Sequence, residues 1–172
     1  MNTIYHYLLI LIGCASILLG IQVPNFVDQY EKRLDAHLSE VRNNLAGYQE
    51  IADKFFGGSM SALIAKHERS VDETFRQEAG PIRNILERYQ RFAKEKSSLA
   101  TGLPGKIAYI IVAGDQQLVD ETFASYSFTI PLNESAIYSG FIFMVIVVFI
   151  IEQLRIALLK VLGLSSRADA HG

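Results

Sequence analysis

The sequence predicts an all-α protein in which two transmembrane helices flank an extramembrane antiparallel helical bundle with a coiled-coil-like long helix. Three observations carry that expectation. Apolar residues are concentrated at the two ends of the 172-residue chain. The stretch between them is charged, with apolar residues at helical spacing and no alternating run that reads as a paired strand. Glycine and proline fall between the periodic segments, where they punctuate helices.

The first span is expected over residues 1–24. Between Ile4 and Val23 only His6 and Gln22 are strongly polar and no charge appears. Crossing ~30 Å of hydrocarbon takes ~20 mainly apolar residues, so the stretch suffices. A cleaved signal peptide would show a basic leader and an A-x-A-like site, and neither is present. "LIGC" at Leu11–Cys14 has the form of a lipoprotein lipobox, but nothing basic precedes it and the apolar run continues through "SILLGI". Cys14 therefore reads as a small apolar residue in a retained anchor. As the single cysteine, it excludes an internal disulfide.

The extramembrane domain is expected over 25–132. Pro24 disfavours helical torsions at Val23, so the span is expected to end or kink there, with Asn25 capping a new helix over about 25–56. In that helix Leu34, Leu38, Val41, Leu45, Tyr48, Ala52 and Phe55 follow one another at alternating steps of four and three. This is the spacing of a coiled-coil seam, and it marks those seven residues as the candidate interaction surface. Asp28 and Lys32 form a favourable i,i+4 pair.

Gly57-Gly58 ends the long helix. Short helices follow over 60–79, one started by Ser59 or Ser61 and the next opened by the capping-box sequence "SVDE" at Ser70–Glu73. Gly80-Pro81 is expected to start a helix over 81–99, with Ile82, Ile85, Tyr89 and Phe92 on one face and Arg88, Arg91, Lys94 and Lys96 toward its end. "TGLPG" closes it. "KIAYIIVAG" is too short to cross a bilayer; a buried strand, a buried helix and a membrane-dipping segment are all open to it. With helices on both sides it reads as a buried helix running on through "QQLVDETFASY" to cover about 106–126, with the membrane-dipping segment as the alternative.

The second span is expected over 133–163, with Asn133 as its N-cap. Its charge-free part, Ala136–Ile151, is extended by "EQLRIALLKVLGL". Glu152 and Arg155, three apart on one helical face, form a candidate polar pair at the membrane interface, where Arg155 and Lys160 can snorkel. Residues 164–172 read as a flexible tail. Arg155, Lys160 and Arg167 flank the second span against Lys32 and Arg33 after the first. The positive-inside rule then places both termini in the cytoplasm and the central domain outside it, in the periplasm.

The chemistry-bearing motifs are missing. There is no HExxH, CxxC, GxSxG or phosphate-binding glycine loop, and His6, His37, His67 and His171 show no metal spacing. No catalytic, metal or cofactor residue can be singled out, and no cofactor is expected. Residues 25–135 hold 13 basic against 16 acidic residues, which gives no field suited to nucleic acid. The expected partners are the lipid bilayer and either a second copy or another membrane protein.

The stretches "GIQVPNFVDQY", "NLAGYQEIADKFFGG", "ALIAKHERS" and "DETFASYSFTIPLNESAIYSGF" resemble those of a family of small Gram-negative membrane proteins known only as a domain of unknown function. The resemblance covers most of the chain. It implies two spans around a helical domain, and it implies no activity and no functional residues. The expected role is that of a non-enzymatic component of the inner membrane, assembling through its helical domain. An oligomeric channel or transport subunit (with Glu152, Arg155, Gln22 and His6 as polar lining) and an enzyme or regulator of envelope metabolism are the alternatives.

Overall fold

A computed structural model describes residues 3–131 and 133–161. Its regular structure is helical throughout: α1 (Thr3–Phe55), α2 (Met60–Glu68), α3 (Glu73–Ser98), α4 (Leu103–Ala113), α5 (Gln116–Ala124) and α6 (Glu134–Val161). The chain divides into two compact units, 1–26 with 127–172 and 27–126. Arg167, His171 and the expected tail lie outside the described residues.

In the first unit α1 runs through Pro24 without a break, against the expectation that Pro24 ends the span. Proline lacks an N–H, so the carbonyl four residues earlier loses its helical donor, and the ring crowds that carbonyl. The carbonyl is that of Gly20, and the hydroxyl of Ser139 donates to it at 2.7 Å. A hydroxyl on the neighbouring helix thus replaces the missing backbone donor, a compensation on which proline-containing membrane helices depend.

That bond requires very close helices, and glycine provides the space. A Cβ on Gly20 would meet the Cβ of Phe143 at 2.7 Å and the Cα of Gly140 at 2.9 Å. Gly20 lies against Gly140, Gly13 against Met144, and Tyr5 is bonded to Glu152, so α1 and α6 pack antiparallel. Gly13, Ser16 and Gly20 are buried on one helix, and Ala136 and Gly140 on the other. Small residues at the contact are how helices approach in lipid, where apolar burial drives nothing.

Asn25 is not a cap either. It is 4% exposed, and its amide donates to the carbonyls of Ser127 (3.1 Å) and Thr129 (3.5 Å), while the Thr129 hydroxyl donates back to its Oδ1 (3.1 Å). Residues 126–131 are non-helical, so their carbonyls need donors from elsewhere. Asn133 does cap α6, accepting from the Ala136 N–H at 2.8 Å.

Two helices in this unit are long and apolar enough to cross a membrane. The most apolar window of α6 is 0% buried, which is the opposite of a soluble core helix. Ile4, Leu8, Leu11, Leu18 and Leu19 on α1, with Phe141, Ile142, Val145, Phe149 and Ile150 on α6, are each half or more exposed.

The second unit is a helical bundle in which residues 27–55 of α1 pack with α2 and α3. Leu45 and Ala52 share a core with Met60, Leu63, Ile64, Ala79 and Ile82, flanked by Tyr48, Phe56, Ile85, Leu86 and Tyr89. A turn at Gly57 and Gly58, with φ of 58° and 83°, reverses the chain. Only glycine adopts such torsions without strain. Ser59 caps α2 through the Ala62 N–H.

Three boundaries depart from expectation. Pro81 lies inside α3 rather than at a helix start. It and Gln77, whose carbonyl loses a donor, are both exposed, so water can satisfy the gap. The cap of α3 is Asp72 instead of Ser70; it accepts from the Thr74 N–H, while the Ser70 hydroxyl accepts from Asp72. The expected buried 106–126 helix starts earlier, at Leu103 inside "TGLPG", and is two helices, because Gly114 and Asp115 are extended and Asp115 caps α5 through the Leu118 N–H at 3.2 Å. Nor is it buried, since only Ile110 of α4 is enclosed while Ile111 and Val112 are exposed.

Candidate functional site

The seam of α1 is where the sequence places an interaction surface, and much of it faces its own chain. Leu34, Val41, Leu45 and Ala52 are buried, Leu38 and Tyr48 are partly buried, and Phe55 is 68% exposed. A straight helix drifts about 20° per heptad against a 3.5-residue repeat. Over the three heptads from Leu34 the drift turns Phe55 outward, and Phe56 packs in its place. Beside the seam, Arg42, Leu45, Ala46, Gln49, Leu86 and Tyr89 line a groove of about 200 Å³. That is below the ~300–1,000 Å³ of a small-molecule site.

The seam continues backward to Tyr30, and there it meets a buried polar network. Tyr30 is 0% exposed, Glu95 on α3 is 5% exposed, and the hydroxyl of Tyr30 donates to Glu95 Oε1. Tyr109 of α4 donates to Glu95 Oε2 at 2.9 Å. The Asp115 N–H, at the start of α5, donates to the Tyr30 oxygen at 3.0 Å and to Glu95 Oε1 at 3.3 Å. Arg91 Nε in turn reaches Asp115 Oδ2 at 3.1 Å. One carboxyl therefore collects donors from α1, α4 and the α5 cap.

Burial, and then the hydrogen bond and charge of Glu95, push the Tyr30 hydroxyl far above its ordinary value. Burial raises Tyr109 as well. Both stay protonated donors at physiological pH, so each keeps its hydrogen bond to Glu95 and the network clamps α1, α3 and α4 together.

A second cluster lies on α1 and α5. Glu121 Oε2 is 2.7 Å from His37 Nε2 and 3.4 Å from Arg33 Nη1, and Gln117 donates to Glu121 Oε1 at 2.9 Å. The hydrogen bond from His37, then that from Gln117, holds the Glu121 carboxyl below the usual carboxylate range. The His37 ring stacks on Phe92, with centroids 5.4 Å apart.

In the first unit, Glu152 and Arg155 form the expected pair at 3.1 Å. Sequence reasoning missed the third member, Tyr5, whose hydroxyl donates to Glu152 Oε1 at 2.6 Å and whose ring lies 4.7 Å from the Arg155 guanidinium. Its position at the end of an apolar run, where tyrosine marks membrane interfaces, was the available signal. Glu95 was also legible. It falls three residues beyond Phe92 on the apolar face of α3, where a charged residue demands partners. Among the described residues no group of three or more His, Cys, Asp or Glu could hold a metal ion.

Comparison with known families places this geometry in context. The model of a family described as Protein of unknown function (DUF2937) matches residues 4–163. The chain belongs to that family. The match runs from the first apolar helix to the end of the second, so the DUF2937 unit includes both helices and the bundle between them. No curated protein and no solved structure matches the chain.

Proposed function

We propose that this DUF2937 protein is a non-enzymatic integral component of the bacterial inner membrane, held by α1 and α6, whose helical domain assembles with a second copy or another membrane protein. The observation that carries the membrane part is the apolar outer surface of the α1–α6 pair. A monomeric soluble protein rarely leaves a contiguous patch of that size in water. The assembly part is supported by Ile51 and Phe55 of α1, 43% and 68% exposed one turn apart. Leu38 and Leu45 are poorer probes of assembly, because Leu45 belongs to the intramolecular core.

The internal pairing of Tyr5, Glu152 and Arg155 supports a fastening role at the end of the spans rather than an ion path. Both termini in the cytoplasm and the bundle in the periplasm is the orientation the flanking charges favour.

Chemical crosslinking of the full-length protein in native membranes tests the assembly. Crosslinked species larger than the 19.2 kDa chain, lost in an Ile51→Asp/Phe55→Asp variant that retains its helical circular dichroism, are the expected result. A protein that stays monomeric at all crosslinker concentrations overturns the assembly reading.

A further inference from the structure

The arrangement of α4 is inverted for a helix in water. Its polar residues are turned inward: Lys106 reaches Glu31 at 2.7 Å, and Tyr109 reaches Glu95 at 2.9 Å. Ile110 packs beside them and is 8% exposed. Pro104, Ile107, Ala108, Ile111 and Val112 fall on the opposite face by helical spacing. Of these Ile111 is 77% exposed and Val112 is 84% exposed. A helix of this kind in a soluble bundle places its apolar stripe on the core and its charges outside.

The covalent path limits how far this face can lie from the first apolar run. The Asp115 N–H is bonded to the Tyr30 hydroxyl, which ties the α4–α5 junction to α1 at Tyr30. Tyr30 is seven steps along the chain from Val23, the last residue of the first apolar run. Whatever their course, they keep the two within about 25 Å. An apolar face on so short a tether lies within reach of the headgroup region. With 11 residues α4 is too short to cross.

We propose that α4 lies in the membrane interface, with Ile107, Ile111 and Val112 bedded in the boundary between headgroups and acyl chains. The inference rests on the reading that α1 and α6 span a bilayer. Lipid is favoured over a protein occupant because the face offers no hydrogen-bonding group. Five side chains are also far fewer than the ~20–30 residues per side of a standard protein interface. Interfacial helices bury an apolar face ~5–10 Å deep, and the outward residues of α4 are suited to that depth.

The test uses full-length protein in nanodiscs of phosphatidylethanolamine and phosphatidylglycerol. In a Cys14→Ala background, single labels of an environment-sensitive fluorophore are placed at Ile111→Cys, Val112→Cys, Glu87→Cys and Ile146→Cys. Every mutated α3, α4 and α6 position is exposed, so folding is not at stake. Lipids carrying a quencher near the headgroup should dim the Ile111 and Val112 labels by about twofold, as for an interfacial helix, and leave Glu87 unchanged. Labels at 111 and 112 that behave like the one at Glu87, open to aqueous iodide, overturn the proposal. Labels shielded from iodide but untouched by quencher lipid also overturn it, in favour of a protein occupant. The Ile146 label near the middle of α6, read with lipids carrying the quencher deep in the acyl chain, separates the two readings: if those quenchers fail there, it is the membrane reading that has failed.

Discussion

Replacing Ser139 with alanine isolates the device that lets α1 pass through Pro24. The substitution removes the hydroxyl 2.7 Å from the Gly20 carbonyl and leaves that carbonyl with neither a helical nor a side-chain donor. Interhelical hydrogen bonds in membrane proteins average ~0.6 kcal/mol and reach ~1.7. A carbonyl already deprived of its backbone donor belongs in the upper half of that range, so Ser139→Ala should cost about 1 kcal/mol, roughly a fivefold shift in the unfolding equilibrium. Pro24→Ala returns an N–H to residue 24, which can then bond the same carbonyl. In that background Ser139→Ala should cost almost nothing, for a coupling of about 1 kcal/mol. Reversible SDS unfolding in mixed micelles, followed by energy transfer between labels at Cys14 and Ile150→Cys, measures all four proteins. Equal costs for Ser139→Ala with proline and with alanine at position 24 would refute the reasoning.

Three further outcomes are expected. Glu95→Ala leaves the buried Tyr30 and Tyr109 hydroxyls without their acceptor, and should destabilise the bundle by about 3 kcal/mol; Tyr30→Phe removes one donor and should cost ~1–3, both read from urea unfolding. Because the Glu121 carboxyl is held below its ordinary value, its contribution is complete above the unfolded value and fades as pH falls through the folded one. Stability should therefore decline as pH drops below about 4.5, and Glu121→Gln should flatten that acid limb. Ser97→Cys on exposed α3, in a Cys14→Ala background, should react with an impermeant maleimide from the periplasmic side of intact cells; labelling only after the cytoplasm is opened inverts the orientation.

The features legible in the sequence are those with local causes. Two apolar runs, Ile4–Val23 and Ala136–Ile151, state their length and composition outright. The breaks at Gly57-Gly58 and at Thr101-Gly102, and the caps at Ser59 and Asn133, follow from the torsions and hydrogen bonds of adjacent residues. Pro24 was misread because its compensation is not local: the hydroxyl that rescues Gly20 belongs to Ser139, 119 residues away. Asn25 misleads for the same reason, since its amide serves the carbonyls of Ser127 and Thr129 rather than a helix start. Position within a heptad predicts which seam residues point inward near Leu34. It fails at Phe55 once the drift of an unsupercoiled helix accumulates. The Tyr30–Glu95–Tyr109 clamp was half visible, because a charge on an apolar stripe announces a partner without naming it.

The most direct test of the account is the fate of the intact chain under alkaline carbonate, read together with its mass. Two retained spans predict that the protein stays in the membrane pellet with its first apolar helix still attached. Release into the supernatant, or a mature chain lacking the residues before Val27, would contradict it.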